Sequence, residues 1–213
     1  MKVIPFGPPN TGKGTRISEV VEELGDQWES VSASSELKKE VKAQTSIGQE
    51  AKSYMDAGEL VPDSIIVRIF LERVKNATKN VFFDGFPRTI AQAKAMLEAG
   101  VKPDLVINLQ VDQEVVLQRA KDRIVCTTCG ESYTKISPFK KSKVEGVCDK
   151  CGGELRQRND DLDEFVVRRR LEVYEKETKP ILEFFESEGI KVCQMDNSGP
   201  NAREEFKKLV TEN

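Results

Sequence analysis

Two groups of residues in this chain have types and spacings that could do chemistry. The first is Gly7-Pro8-Pro9-Asn10-Thr11-Gly12-Lys13, which fits the pattern G-x-x-x-x-G-K. A phosphate needs several convergent backbone N–H groups, which such a turn supplies where it opens a helix, and a lysine adds a cation for the outer phosphates. Asn10 suits the turn because asparagine tolerates left-handed backbone better than most residues. Gly14 stands where the common pattern carries Ser or Thr, with Thr15 one place later, so direct hydroxyl ligation of Mg²⁺ is not secured. The second group is Cys126-x-x-Cys129 and Cys148-x-x-Cys151, two pairs with 18 residues between them. That is the spacing of a four-thiolate zinc ribbon, with Gly130 and Gly152 placed to permit the tight turns. Iron in the same cage and a pair of disulfides are the alternatives; zinc is the default for four sulfurs. Four protein ligands leave no open position, so the metal is expected to be structural. Cys193 lies in an apolar stretch and is expected in the core.

The chain has no histidine, which excludes Ser-His-Asp and Cys-His catalysis and any imidazole metal ligand. Arginine provides cations that do not titrate, on a planar fork suited to phosphate oxygens. Arg88 follows an apolar run ending in Asp84, and Gln92 lies one helical turn further on. Arg119 and Arg123 are four apart on one helix face, Arg158 comes after the cysteines, and Arg168-Arg169-Arg170 form a run. The competing reading of such arginines is a solvated helix face with weak ion pairs. Asp84 suits a hydrated Mg²⁺, which takes one or two carboxylates and keeps several waters; the bland alternative is a helix cap.

These residues need a scaffold, and 213 residues fit one domain with a small insertion. Apolar runs at 3–6, 80–84, 104–109 and 190–195, with a weaker one at 28–32, alternate with helical periodicity, first over 13–24. The pattern predicts an α/β fold with an open parallel five-stranded sheet flanked by helices. A helix is expected over 163–177, restarting at Pro180, and a last one over 201–210. The rhythm breaks from 124 to 158, where an inserted zinc ribbon is expected. With 33 basic and 36 acidic residues the net charge is −3, giving no large field for nucleic acid or membrane. The insertion has only Tyr133 and Phe139 as aromatics, a thin stacking surface against a nucleic-acid-binding reading. No signal-peptide stretch or spanning run of about 18 apolar residues occurs, so a cytoplasmic protein is expected.

The loop Gly7–Thr15, with Asp84-Gly85-Phe86-Pro87-Arg88 and Arg158-Asn159-Asp160-Asp161, resembles the adenylate kinase family, and the cysteine insertion resembles its long-lid, zinc-containing bacterial branch. The resemblance implies a P-loop kinase that transfers a phosphoryl group reversibly, Mg·ATP + AMP to two ADP. It implies a core of 1–123 and 159–213, a monophosphate-binding segment at about 32–61 and a lid of 124–158. Implied cofactors are Mg²⁺ with the ATP and Zn²⁺ in the lid. Its implied partners are ATP and AMP, with no nucleic acid or membrane, and it is expected to act as a monomer.

By resemblance the catalytic set is Lys13, Asp84, Arg88, Arg123, Arg158 and Arg170. Arg169 stays open as the alternative to Arg170, because the match assumes one inserted residue. ATP would meet Asn10, Thr11, Gly12, Lys13, Gly14, Thr15, Arg119, Arg123, Ser132, Tyr133 and Gly199. AMP would meet Ala33, Lys38, Glu59, Leu60, Val61, Gly85, Phe86, Pro87, Arg88, Gln92, Arg158 and Arg170. Two positions depart from the family pattern: Ala33 replaces a base-side threonine, and Lys38 an arginine for the AMP phosphate. Alanine there also occurs in UMP/CMP kinase relatives, whereas Gln92 favours AMP.

Overall fold

The computed structural model describes residues 1–57, 61–136 and 140–212, with the backbone alone of Asn159 and Asp160. Five parallel strands form one sheet in the order β2-β3-β1-β4-β8: β1 Lys2–Phe6, β2 Trp28–Ser32, β3 Asn80–Asp84, β4 Leu105–Gln110 and β8 Val192–Asp196. The central strands read as apolar runs because both faces are covered, and their alternating side chains split the core in two. Ile4, Phe6, Val81, Phe83 and Val106 pack beneath α4 (Asp63–Lys75), α5 (Ile90–Glu98) and α9 (Pro180–Ser187). Val3, Phe82, Leu105, Ile107 and Leu109 pack beneath α1 (Lys13–Leu24) and α10 (Ala202–Thr211). Trp28 of edge strand β2 stacks on Phe82 at 4.6 Å, and Phe70 of α4 stacks on Phe86 at 4.1 Å, anchoring the chain just after β3. The Phe86–Pro87 peptide is cis.

Helices α2 (Ala33–Ala43) and α3 (Ser46–Asp56) form a small unit against α4, with Ala51, Ile65 and Ile69 at its centre. After α6 (Gln113–Asp122) the chain leaves the main sheet and builds a second one from β5 Arg123–Cys126, β6 Ser132–Thr134 and β7 Leu155–Arg156, in the order β6-β5-β7 and antiparallel. Its core is Cys126, Tyr133, Cys148 and Leu155. The chain returns through α7 (Asn159–Leu162) and α8 (Glu164–Val173). Among the described residues no helix is long and apolar enough to cross a membrane.

Two local expectations need correction. Cys193 is only half-buried, because β8 ends up as an edge strand, where Met195 alone is fully covered. The helix expected over 163–177 stops at Val173 and passes into one π turn, Tyr174–Thr178, closed by Lys179 N–H donating to the Tyr174 carbonyl at 2.9 Å. The wide turn keeps Tyr174 buried beside Phe6, ring centres 6.0 Å apart, while Pro180, which has no N–H, opens α9.

Candidate active site

A cleft of about 1490 Å³ opens at the carboxyl ends of β1 and β3, the edge where open α/β sheets take ligands. Its floor is the 7–15 loop, one wall is Asp84–Arg88 with the start of α2, and the second sheet overhangs it through Thr127, Cys129, Ser132 and Tyr133. The turn after β1 is forced: Gly7 has φ +134°, and a Cβ there would lie 2.6 Å from the Leu109 carbonyl oxygen of the neighbouring strand. Asn10 adopts φ 62°, as its residue type allows. Helix α1 then starts with no side-chain cap, so its first N–H groups are available to an anion.

The charged groups converge on this floor. Lys13 Nζ donates to the Gly7 and Pro8 carbonyls at 2.7 and 2.6 Å. Desolvation lowers its pKa to about 7; Asp84 opposes the shift, while Arg88, Arg123 and Arg170 reinforce it. Burial raises the Asp84 carboxyl above its ordinary value, with Lys13 and Arg88 pulling the other way. Asp84 caps no helix, since the side-chain cap of α5 is Thr89, whose Oγ1 accepts from Gln92 N–H at 3.2 Å. The Arg88 guanidinium is folded over the loop, donating to the Gly85 carbonyl at 2.7 Å. Arg123 donates twice to Asp161, at 2.8 and 2.5 Å, and Arg170 reaches the other oxygen of the same carboxylate at 3.2 Å. Arg158 lines the cleft nearby.

Other residues singled out in the sequence are placed less uniformly. Gly14, Thr15, Gly85, Phe86, Pro87, Ser132, Tyr133 and Gly199 line the cleft. Thr11 is buried, its hydroxyl donating to the Pro8 carbonyl at 2.9 Å. Arg119 donates to the Thr11 and Asn197 carbonyls at 2.9 and 2.8 Å. Gln92 is buried, its oxygen accepting from Arg88 N–H and its nitrogen donating to Asp63, both at 2.7 Å. Ala33 is buried at the start of α2, and Val61 packs against the α3–α4 cluster. Glu59 and Leu60, like Phe139, lie outside the described residues. Lys38 is exposed on the cleft wall, and among the described residues no carboxylate pairs with it, whereas its neighbour Lys39 is held by Glu36 at 2.7 Å. Arg169 sits on the rim paired with Glu172 at 3.1 Å.

In the second sheet the four predicted ligands meet. All their Sγ atoms lie within 4.8 Å of one another, with Cys126–Cys151 at 3.5 Å and Cys129–Cys148 at 3.6 Å. A tetrahedron with Zn–S bonds of about 2.3 Å has edges of about 3.8 Å, so spacing and donor type both fit Zn²⁺. Each pair sits on a matched turn, Gly130 N–H to Cys126 O at 3.0 Å and Gly152 N–H to Cys148 O at 2.9 Å. The Tyr133 hydroxyl lies 3.5 Å from Cys148 Sγ and accepts from Asp149 N–H at 3.0 Å, so this residue supports the cysteine cage as well as bordering the cleft.

Several contributors carry no sequence signal of their own. Asp63 is one. Thr178 is another: the π turn brings its hydroxyl to the Arg88 carbonyl at 2.9 Å. Asn197 is a third, buried behind the phosphate loop.

The model of the family described as adenylate kinase matches residues 5–190. The chain is 43% identical over 197 residues to the adenylate kinase of Carboxydothermus hydrogenoformans, covering 89% of each chain. It is 44% identical over 195 residues to that of Bacillus licheniformis, covering 89% of this chain and 88% of the relative. Against that of Staphylococcus aureus it is 43% identical over 196 residues, with 89% of each covered. Similarity of that degree over about nine-tenths of each chain, with the family model spanning the 7–15 loop and the cysteine sheet, shows that the chain belongs to the adenylate kinase family.

Proposed function

We infer that the protein is an adenylate kinase, catalysing Mg·ATP + AMP to two ADP and back. The observation that carries the reading is that Lys13, Arg88, Arg123, Arg158 and Arg170 meet in one cleft, with Asp84 beside Lys13 and Arg88 and Asp161 held by Arg123 and Arg170. Phosphoryl transfer leaves a protein little covalent work, so positioning two polyanions in line and stabilising the moving charge is nearly all of catalysis. The 7–15 loop and Lys13 receive the ATP phosphates. Arg88 holds the AMP phosphate, and Arg123, Arg158 and Arg170 bracket the transferring group. Asp84 would hold the hydrated Mg²⁺ that accompanies ATP, an ion that would supply neutralising charge at the phosphates.

Residues 124–158 serve as the lid, with a structural Zn²⁺ on Cys126, Cys129, Cys148 and Cys151, and residues at about 32–61 as the AMP-binding segment. A lid over the site keeps water from replacing AMP as acceptor. The protein works on ATP and AMP as a cytoplasmic monomer. Arg170 is favoured over Arg169 as the clamp, because it shares Asp161 with Arg123 while Arg169 is engaged by Glu172.

The deciding experiment measures ADP formation from ATP with AMP, UMP, CMP and GMP in turn. AMP should be preferred. A preference for UMP or CMP would assign the chain to the pyrimidine kinases, a reading that Ala33 keeps in view, and rapid ATP loss without acceptor would make it a hydrolase.

Lys38 gives a narrower expectation. As a compact charge it cannot make the two-bond fork of arginine. Lys38→Arg should lower the KM for AMP, and Lys38→Ala should raise it about three- to tenfold, the scale of one exposed charge-assisted hydrogen bond. The KM for ATP should stay within about twofold in both. An unchanged AMP dependence in the alanine variant would shift the role to Lys39 or Lys42.

A further inference from the structure

Asn197, in the loop between β8 and α10, is 1% exposed, and each of its four hydrogen-bonding groups reaches a different element. Its Nδ2 donates to the Thr11 carbonyl at 2.5 Å, and its Oδ1 accepts from Arg16 Nε of α1 at 2.9 Å. Its backbone N–H donates to the Gln110 carbonyl at the end of β4 at 2.9 Å, and its own carbonyl accepts from Arg119 Nη2 of α6 at 2.8 Å. A carbonyl on one side and an Arg N–H on the other fix which end of the amide is nitrogen. Arg119 closes the ring, because its Nη1 donates to the same Thr11 carbonyl at 2.9 Å.

That carbonyl belongs to the Thr11–Gly12 peptide. The peptide is planar, so holding its oxygen with two donors fixes the direction of the Gly12 N–H on the opposite edge. The fit is close enough to dictate residue 12: a Cβ there would meet Asn197 Nδ2 at 2.9 Å, at a φ of +96°. On its other side Asn197 runs directly into Ser198-Gly199-Pro200, which line the cleft beyond the phosphate loop. Among the described residues, none of its hydrogen-bond partners belongs to α2, α3, α4 or the 84–88 loop.

We propose that Asn197 is a positioning residue that holds the phosphate loop in register with the 198–200 loop, and so sets the affinity for ATP without touching the acceptor side. This rests on the kinase reading above. Asn197→Ala removes both side-chain bonds. Asn197→Asp keeps the shape and the bond from Arg16 but turns a carboxylate oxygen on the Thr11 carbonyl. Both should raise the KM for ATP about tenfold while changing that for AMP less than about twofold. Calorimetric titration of ATP alone should show the same loss. Phe185→Leu on the buried face of α9 should lower the melting temperature and move neither KM, separating lost stability from lost register.

Initial rates on the full, zinc-loaded chain distinguish the failures. A wild type that makes no ADP would remove the kinase reading. A working wild type whose folded Asn197 variants shift both KM values equally, or neither, would overturn the positioning role. Failure of the near-isosteric Asn197→Asp to fold would overturn it too, since the amide would then be a requirement of the fold.

Discussion

Replacing Lys13 with methionine should lower kcat by about 10²–10³-fold while the protein still melts within a few degrees of wild type. The magnitude is that of removing one preorganised donor from a site where charge develops. The fold should survive because, among the described residues, Nζ bonds only to the two loop carbonyls of Gly7 and Pro8. A proton signature should accompany the loss. The buried ammonium has its pKa lowered from 10.5 to about 7, so at pH 8 most of the free protein carries Lys13 neutral. Triphosphate beside it favours the charged form and raises the pKa again, so ATP binding at pH 8 should take up close to one proton, and ATP affinity should weaken as pH rises above about 7. Titration calorimetry in buffers of different ionisation enthalpy measures the uptake. The uptake should vanish in Lys13→Met; a variant with near-wild-type turnover would refute the phosphate-loop assignment.

The second large effect should come from the cysteine cage. Cys148 is buried, 3.6 Å from Cys129 and 3.5 Å from the Tyr133 hydroxyl. Cys148→Ser should lose the metal and lower the melting temperature together, because a structural metal's binding energy is folding energy. A cross-link closing a loop of some 20 residues is worth about 3 kcal/mol. At about 2–4 °C per kcal/mol for a chain of this size, the fall should be about 6–12 °C. Chelation of the wild type should reproduce it. A metal-free protein as stable as the loaded one would show that the four thiols are not a structural metal site.

Much of this architecture is legible in the sequence, for physical reasons. Strands buried on both faces must be apolar, so β1, β3 and β4 stand out, and a phosphate loop and a pair of C-x-x-C turns have steric requirements that few sequences meet. What escapes is whatever depends on strand order or on a single long-range contact. Cys193 looked like core because its neighbours are apolar, yet only the order of the sheet makes β8 an edge. Gln92 reads as a free amide until the fold brings Asp63 from 29 residues away. Asn197 and Thr178 are ordinary polar residues in a loop and a helix end, and only the folded structure reveals their partners across 186 and 90 residues. Tyr174 gives no warning of the π turn, since helical periodicity runs through it.

The chain enters the second sheet at Arg123 and leaves it before Asp161, and these two side chains share two hydrogen bonds. Because the excursion begins and ends at one spot, the length of its far end can change without moving the main sheet, while the residues that line the cleft remain tied to the site. Over evolutionary time such a segment can be shortened, extended or given a different internal scaffold, provided that the arginine and the aspartate at its feet are kept. Sequence drift in this protein's descendants should therefore be permissive within residues 127–156 away from the four cysteines, their turn glycines Gly130 and Gly152, and the cleft-lining Ser132 and Tyr133, and strict at positions 123 and 161.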